Sequence, residues 1–207
     1  MAIKSAFWDK RYSANEYVYG KEPNSYFKKQ LNKLPVGNIL LVGEGEGRNG
    51  VYAARQGWNV SAFDISVEGK RKAERLANKY NVKIDYRVGE LHEQSYQKEQ
   101  FDVIALICTH FPTQSREAIF KELMGYLRSD GTLIMEVYST KQLNYQVKGD
   151  SFGGPKDIDM LYTTKGIKAD FKNLELIELE ETEKRLSNNN HNNALSCVIR
   201  FVGVKNG

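Results

Sequence analysis

The feature that most constrains the fold of this chain is the segment ILLVGEGEGRNGVYAARQGWNVSAFD, residues 39–64. It begins with a short apolar run, residues 39–42, which is typical of a strand buried on both faces of a parallel sheet. A turn rich in glycine follows, where the backbone can bend sharply and a ligand can come close. A helical pattern comes next. Residues 59–63 then predict a second strand, and Asp64 lies at its carboxyl end, so the segment predicts one βαβ unit.

The glycine turn is compatible with two kinds of nucleotide cofactor. Gly45, Gly47 and Gly50 satisfy the GxGxxG pattern of dinucleotide-binding domains, with an acid about 20 residues further on. In those domains the pyrophosphate binds the free amides and the positive end of the following helix. Glu44 and Glu46 place two carboxylates in this turn, and these would repel a diphosphate. S-adenosylmethionine has no phosphate and carries a positive sulfonium, so the two acids favour it.

Separate motifs along the chain resemble one branch of a known family. The turn resembles motif I of the class I methyltransferases that use S-adenosylmethionine, in the version of the tellurite-resistance and thiopurine-methyltransferase-like branch. The opening FWDKRYSANEYVYGKEPN, residues 7–24, is similar to the opening of that branch. CTHFP at residues 108–112 and GGPKDIDMLY at residues 153–162 are similar to two of its later segments. The resemblance spans nearly the whole chain and implies an enzyme that transfers methyl groups.

Length and composition favour one domain. The chain has 207 residues, of which 41% are hydrophobic, and this is enough for one core. The amino terminus lacks the apolar stretch of a signal peptide, and no run approaches the roughly 18 apolar residues of a membrane span. We therefore expect a soluble, cytoplasmic protein with a helical cap over residues 1–34 and a core over residues 35–207. Cys108 and Cys197 lie in apolar stretches, so we expect reduced thiols. The sequence contains no CxxC or HxxxH spacing, so a zinc site is not expected.

The net charge of +4 raises the question of nucleic acid. Basic residues form only short clusters with acids between them, which predicts a solvated helix face rather than a phosphate track. The clearest cluster consists of Lys70, Arg71, Lys72 and Arg75. The asparagines around His191 predict a mobile polar loop.

The rest of the chain alternates between helical and strand patterns, which predicts a parallel sheet with helices on both faces. Two strand-like runs end the chain with no helical pattern between them, so we expect a terminal antiparallel hairpin. The fold class is thus α/β, a Rossmann-like methyltransferase fold with a mostly parallel seven-stranded sheet. The predicted elements after Asp64 are a helix over 67–80, strands over 82–88 and 101–107, a helix through 119–127 that closes near Gly131, and strands over 132–138, 174–183 and 195–205.

Ligands of such sheets bind at the carboxyl ends of the strands. Asp64 is placed there to accept both ribose hydroxyls, as an acid at this position does in the superfamily that the chain resembles, and a helix cap after Ser66 is the alternative. The resemblance aligns Glu90 and Leu91 with the pair that flanks adenine, and an ordinary loop acid is the alternative for Glu90. The predicted cofactor set is Tyr19, Gly43, Glu44, Gly45, Gly47, Arg48, Asn49, Asp64, Ile65, Glu90, Leu91 and Cys108.

The methionine end of the cofactor is the weakest part of the resemblance. Most class I enzymes carry an acid two residues before the first glycine of the turn, and this chain has Leu41 there. Anchoring then passes to Glu44 or to the amino-terminal segment. Arg48 and Asn49 are implied as loop fasteners or contacts to the methionine carboxylate, and pairing of Arg48 with Glu44 or Glu46 is equally open.

Three tyrosines of the amino-terminal segment, Tyr12, Tyr17 and Tyr19, are candidates to cover the same end of the cofactor as a lid. An aromatic face near a sulfonium is worth roughly 0.5–2 kcal/mol as a cation–π interaction. Core packing of the same three rings is equally open.

Methyl transfer from a sulfonium is an in-line displacement with a neutral leaving group, so positioning and exclusion of water supply most of the acceleration. A base matters only if the acceptor arrives protonated. His110, just past the predicted strand 101–107, is the candidate for that role by position and pKa class, and a packed polar histidine is the alternative. The resemblance implies that Tyr162 and His191 lie on the substrate side.

The acceptor class is narrowed by absences. No NPPY or DPPY follows residues 101–107, which argues against methylation of glutamine or of exocyclic amines on bases. Cys108 lacks the adjacent proline of enzymes that methylate cytosine carbon, and its position suits a backbone contact to the cofactor. A small molecule remains, and the resemblance implies a soft nucleophile such as a thiol or a selenium or tellurium oxyanion. The alternatives are an NAD(P)-binding oxidoreductase and a non-catalytic protein that binds S-adenosylmethionine or RNA.

Overall fold

The computed structural model describes residues 2–147, 153–186 and 194–207. At its centre lies a seven-stranded sheet with the order β3-β2-β1-β4-β5-β7-β6. Strands β1 to β5 run parallel, β7 pairs antiparallel with β5, and β6 pairs antiparallel with β7. The strands are β1 (Asn38–Val42), β2 (Asn59–Asp64), β3 (Asp85–Val88), β4 (Phe101–Ile107), β5 (Leu127–Tyr138), β6 (Leu174–Leu186) and β7 (Ala194–Lys205).

Helices cover both faces of the sheet, as the alternating pattern predicts. One apolar cluster joins one sheet face to α5 and α7, through side chains such as Phe120 and Phe171, and a second joins the other face to α2, α3 and α4. Within the described ranges, no helix is both long enough and apolar enough to cross a membrane. The helices are α1 (Ala2–Tyr12), α2 (Ser25–Leu31), α3 (Arg48–Arg55), α4 (Val67–Lys79), α5 (Thr113–Tyr126), α6 (Gln142–Val147) and α7 (Thr164–Asp170).

The predicted βαβ unit and terminal hairpin are confirmed, but several predicted element boundaries are wrong, such as the strand predicted over 132–138, which begins at Leu127, and the strand predicted over 174–183, which ends at Leu186. The strand predicted from residue 82 begins at Asp85, because the Val82 amide donates to the Ala77 carbonyl at the end of α4 instead of joining the sheet. The helix predicted to close near Gly131 ends at Tyr126, because Leu127 pairs with Phe101 and so already belongs to β5.

Gly47 sets the distance between the glycine turn and α4, and its replacement is a test of the fold. Its φ of 87° lies in the left-handed region, and a Cβ there would come within 2.5 Å of the Ala73 Cβ and 2.7 Å of the Ala73 Cα. We expect Gly47→Ala to lower the free energy of unfolding by about 2–4 kcal/mol, since the strained φ and the clash add. Urea unfolding followed by circular dichroism measures this.

Gly125, near the end of α5, is the matched control. A Cβ at this position meets no atom within 4 Å, and the residue has a helical backbone. Gly125→Ala should leave the stability unchanged or raise it by roughly 0.5 kcal/mol. Equal losses for the two variants would contradict the packing role of Gly47.

Candidate functional site

A large cavity lies at the carboxyl ends of the parallel strands. Its volume of about 1800 Å³ exceeds the roughly 300–1,000 Å³ of a site for one small molecule. The amino-terminal segment contributes a further wall over residues 7–25. The cavity therefore has room for a cofactor and a second ligand. The predicted site residues that line it are Tyr19, Gly43, Glu44, Gly45, Arg48, Asn49, Asp64, Ile65, Glu90, Leu91, Cys108 and His110.

Three predicted site residues are not among those that line the cavity. Gly47 packs against Ala73 of α4 instead of facing the cavity. Tyr162 has only 1% of its surface exposed and lies behind the wall. His191 lies outside the described residues.

Glu44 occupies the anion-binding end of α3. Its Oε1 accepts hydrogen bonds from the amides of Asn49 at 2.9 Å and Gly50 at 2.7 Å. These are the first-turn amides that hold a pyrophosphate in dinucleotide-binding domains. The Glu44 side chain thus occupies the place where a phosphate would bind. This excludes phosphate more strongly than charge repulsion alone. Burial raises the pKa of Glu44 to about 7, against the opposing effects of these amides and of Arg48.

Glu46 is neutralised by Lys72 of α4. The Nζ of Lys72 lies 2.6 Å from the Glu46 Oε1, and the two side chains are 0% and 2% exposed. The Lys72 ammonium also donates to the carbonyl of Glu16 at 2.6 Å. The prediction that Lys72 belongs to a solvated helix face is therefore wrong, because it shares the buried face of α4 with Leu76.

Asp64 holds the glycine turn in place at the mouth of the cavity. Its Oδ2 accepts from the Gly45 amide at 3.0 Å, and its Oδ1 accepts from the Ser66 amide at 2.9 Å. The hydroxyl of Ser66 itself caps α4 through the Gly69 amide, so Asp64 is not the cap. Each carboxylate oxygen retains a lone pair that can accept a further hydrogen bond. Burial raises the pKa of Asp64 to about 6.

Glu90 and Leu91 follow β3 and complete this part of the wall. Glu90 begins a short 3₁₀ helix, where its amide donates to the Glu93 carboxylate at 2.8 Å. The Glu90 carboxylate in turn accepts from the Glu93 amide and lies 3.7 Å from His92 Nδ1, while the side chain is 38% exposed and Leu91 is buried.

The three tyrosines of the amino-terminal segment differ in role. Tyr12 and Tyr17 are buried, and the Tyr17 hydroxyl donates to the carbonyl of Lys72 at 2.9 Å. Tyr19 stays partly exposed on the cavity wall, where Arg11 donates to its hydroxyl and Arg48 donates to its carbonyl, each at 3.0 Å. All three tyrosines line the cavity, but Tyr12 and Tyr17 are also packed in the interior, and Tyr19 is the most exposed of them.

Cys108 lies at the end of β4, opposite the glycine turn. Its φ of 57° is unusual for a residue with a side chain, and its amide donates to the Glu136 carbonyl at 2.8 Å. Burial raises the pKa of its thiol, which keeps the sulfur protonated.

His110 follows two residues later. Its Nδ1 lies 2.9 Å from the Met160 carbonyl, which can only accept, so Nδ1 carries the proton. Its Nε2 accepts from the Tyr138 amide at 3.5 Å, and the two rings stack at 5.5 Å. Burial lowers the pKa of His110 to about 4, so the ring is neutral at physiological pH.

Tyr162 supports the His110 loop from behind. Its hydroxyl accepts from the Phe111 amide at 3.4 Å, and its ring centre lies 5.6 Å from the His110 ring. The guanidinium of Arg116 lies 3.9 Å from the Tyr162 ring centre and donates to the carbonyls of Phe111, Asp159 and Leu161. Tyr162 therefore supports His110 and Phe111, which line the cavity, but does not line the cavity itself.

A buried charge network that the sequence reasoning missed forms the wall beyond Cys108. Glu136 of β5 is 1% exposed and accepts from Asn24 at 2.7 Å, from Arg200 at 3.0 Å and from Lys184. Burial alone would raise the pKa of Glu136, but these partners outweigh it and leave the pKa below its usual value. The predicted strand 195–205 included Arg200, whereas Lys184 fell just after the predicted strand 174–183, and nothing in the sequence pointed to Glu136 as their partner.

The lowered pKa of His110 predicts a pH effect on stability. The unfolded chain binds a proton on this ring below pH 6.5, whereas the folded chain binds it only near pH 4. This contribution to stability is therefore full above pH 6.5 and lost as the pH falls towards 4. The stability difference between the wild type and His110→Gln should shrink by about 1–3 kcal/mol between pH 7.5 and 4.5 in urea unfolding. A difference that does not change with pH would contradict the buried neutral ring.

Comparisons with known proteins agree with this geometry. Residues 39–131 match the family model described as a methyltransferase domain. No curated protein sequence matches the chain. TehB from Haemophilus influenzae has a similar structure, with a TM-score of 0.71 at 17% identity, covering 98% of this chain and 67% of that one.

Two further solved structures cover both chains almost completely. Magnesium protoporphyrin IX methyltransferase (ChlM) from Synechocystis PCC 6803, solved with bound SAH, has a TM-score of 0.70 at 15% identity and covers 99% of this chain and 98% of that one. A structure reported for the conversion of a disulfide bond into a thioacetal group during echinomycin biosynthesis has a TM-score of 0.79 at 14% identity, covering 98% and 92%. At these identities the likeness shows a shared fold.

Residues 39–131 thus match a methyltransferase domain, and the described chain shares its fold with solved S-adenosylmethionine-dependent methyltransferases. The predicted fold, a mostly parallel seven-stranded sheet with an antiparallel hairpin at the end, is confirmed.

Proposed function

We propose that this protein is an S-adenosylmethionine-dependent methyltransferase that acts on a small acceptor with a soft nucleophilic atom, such as a thiol or a selenium or tellurium oxyanion. The observation that carries the proposal is the size of the cavity, about 1800 Å³. The cavity extends from the predicted cofactor residues Asp64 and Glu90 to Cys108, His110 and Lys184. A cavity of this volume can hold the cofactor and still leave space near these last three residues for a second small molecule.

Different residues act at the two ends of the cavity. Asp64 and Glu90 supply carboxylates for the ribose and the adenine amine, and the glycine turn lets the cofactor lie close to the backbone. Glu44 keeps phosphate away from α3. When bound, S-adenosylmethionine supplies an activated methyl group, and the walls position the acceptor and exclude water.

His110 favours an acceptor that arrives ionised or loses its proton easily. With a pKa of about 4, its neutral ring is a weak base, although Nε2 accepts only one long hydrogen bond. Such a ring is suited to orienting a hydrogen-bond donor on the acceptor. A thiol with a reference pKa of 8.5, or an oxyanion, needs less help from a base than an amine. We therefore assign His110 to positioning of the acceptor and not to its deprotonation.

One of the similar structures was reported for a reaction at sulfur. That likeness supports a soft acceptor only by fold analogy, which is a poor guide to substrate.

The test is an acceptor screen that follows release of S-adenosylhomocysteine. Aliphatic and aromatic thiols, selenite and tellurite form the expected set, and primary amines, carboxylic acids and catechols form the comparison set. We expect turnover of the wild type with at least one member of the first set, and slower turnover of Asp64→Ala when S-adenosylmethionine is limiting. Turnover confined to the comparison set would refute the soft-acceptor proposal. Binding of NADH together with failure to bind S-adenosylmethionine would overturn the methyltransferase assignment itself.

A further inference from the structure

Two basic side chains of the terminal hairpin line one end of the cavity. Lys184 of β6 and Arg200 of β7 are 17% and 23% exposed. In the sheet, β7 and β6 lie on one side of β4, whereas β2 and β3, which end at the predicted cofactor residues Asp64 and Glu90, lie on the other. Lys184 and Arg200 therefore lie towards the acceptor end of the cavity, beyond Cys108.

A buried carboxylate holds both basic side chains in place. Glu136 of β5 lies directly opposite Arg200 in the pairing of β5 with β7, and its Oε2 accepts from the Arg200 Nε at 3.0 Å. Its Oε1 accepts from the Lys184 ammonium and, at 2.7 Å, from the side-chain amide of Asn24. Glu136 is 1% exposed and does not line the cavity, whereas Lys184 and Arg200 do. The cavity therefore faces the positive groups and not the carboxylate behind them.

The positive charge at this end of the cavity is only partly balanced. Lys184 and Arg200 share the single charge of Glu136. A second acid, Glu180, is 54% exposed and lies 3.9 Å from the Arg200 guanidinium, so water screens its charge. In the hydrogen bonds of the described residues, Lys184 uses one of its three N–H groups and Arg200 one of its five. Donors and positive charge thus remain for an anion in the cavity.

The charge of Lys184 acts on the space next to Cys108. Burial raises the pKa of the Cys108 thiol, and the Lys184 ammonium acts against that rise. The same charge would favour the ionised form of an acceptor bound there. His110 has a neutral ring that is a weak base, so it gives a neutral acceptor little help in losing a proton. An acceptor that arrives as an anion fits both residues.

We propose that Lys184 and Arg200, oriented by Glu136, bind a negative group of the methyl acceptor. The group is a carboxylate or another oxyanion, which accepts charge-assisted hydrogen bonds from both side chains. Glu136 does not touch the acceptor and is a positioning residue. The site selects an anionic acceptor over a neutral molecule of the same size. This inference rests on the proposed function and deepens it, since it gives the charge of the acceptor and the residues that recognise that charge.

Two thiols of equal length that differ in charge test the proposal. 3-Mercaptopropionate carries a carboxylate, and 3-mercapto-1-propanol carries a hydroxyl in its place. Each is titrated by calorimetry at pH 7.5 onto the whole chain saturated with S-adenosylhomocysteine, so the carboxylate of the cofactor product is not the group that is measured. The proteins are the wild type, Lys184→Gln, Lys184→Arg and the matched control Lys141→Gln. Lys141 pairs with Glu181 of β6, is 64% exposed and does not line the cavity.

We expect the wild type to bind 3-mercaptopropionate roughly 10-fold more tightly than 3-mercapto-1-propanol. Lys184→Gln keeps a hydrogen-bond donor for Glu136 but loses the charge, so this ratio should fall roughly 5-fold or more. Lys184→Arg keeps the charge and should retain most of the ratio, and Lys141→Gln should not change it. The affinity for S-adenosylhomocysteine, measured on each protein, should stay within about 2-fold of the wild type, because Lys184 lies away from the predicted cofactor residues.

Four outcomes would overturn the proposal. The wild type could bind the two thiols equally, or bind neither of them. Lys184→Gln could keep the full preference for the carboxylate. The preference could also be lost equally in Lys184→Gln and Lys184→Arg, in which case charge is not its cause.

The affinities need no turnover, so this test is independent of the acceptor screen. A preference for the carboxylate that depends on Lys184, together with a failed screen, refutes only the soft-acceptor proposal. Turnover of thiols without such a preference refutes only the anion site.

Discussion

Lys72→Met should lower the free energy of unfolding by about 3–5 kcal/mol, which is the largest stability effect that we expect in this protein. The substitution leaves the Glu46 carboxylate, whose side chain is 2% exposed, without its counter-ion. It also removes the hydrogen bond to the Glu16 carbonyl, which ties the amino-terminal segment to α4. Urea unfolding of the variant and the wild type at pH 7.5 measures the loss.

A double variant and a surface variant separate charge from packing. Lys72→Met with Glu46→Gln removes both charges from the interior, so most of the lost stability should return. Lys70→Met breaks only an exposed pair with Glu74, whose atoms lie 3.7 Å apart, and should change stability by less than roughly 0.5 kcal/mol. If Lys72→Met behaves like Lys70→Met, the buried pair contributes nothing to folding.

The fold was predictable where one local pattern dominated. The buried strands β1 and β4 are continuous apolar runs, and the glycine turn between β1 and α3 needs backbone conformations that glycine supplies. Element ends were less predictable, since tertiary contacts decide them. The apolar Val82 was predicted to start a strand, but its amide bonds to the end of α4.

The proximity of the predicted cofactor residues to one another was predictable for a topological reason. Parallel strands end at one edge of the sheet, so Asp64 after β2 and Glu90 after β3 had to lie near the turn after β1. Which side chain contacts which was not predictable in the same way. Both glutamates of the turn were interpreted as charges that repel phosphate, with pairing to Arg48 left open, and the structure shows Glu44 on the amides of α3 and Glu46 on Lys72.

Lys72 shows what the sequence pattern contained and what it lacked. Its spacing from Gly69 and Leu76 places it on the buried face of α4, and that spacing could have been recognised. The acid that makes its burial tolerable lies 26 positions away in the chain, and only the folded structure brings the two together. The same holds for Glu136 with Lys184, and for the arginines that meet at Tyr19.

Asp64→Ala should weaken S-adenosylhomocysteine binding by about 1.5–3 kcal/mol, because charge-assisted hydrogen bonds to the ribose are lost. The loss of the bond to the Gly45 amide adds to the effect, since it loosens the turn against which the cofactor lies. Calorimetry at pH 7.5 measures the affinity. Thermal unfolding without ligand shows whether the turn alone accounts for the loss. An unchanged dissociation constant would remove Asp64 from the site.

The pH dependence of binding separates the two roles of Asp64. Burial raises its pKa to about 6, so the carboxyl is ionised at pH 7.5 and largely protonated at pH 5. The ionised form accepts ribose hydroxyls more strongly, so wild-type affinity should fall as the pH drops through 6. Asp64→Asn keeps one oxygen for the Gly45 amide but cannot ionise. The affinity of Asp64→Asn should be weak at both pH 7.5 and pH 5 and should not fall as the pH drops through 6. If Asp64 had only a structural role, the pH profiles of the wild type and Asp64→Asn would be parallel.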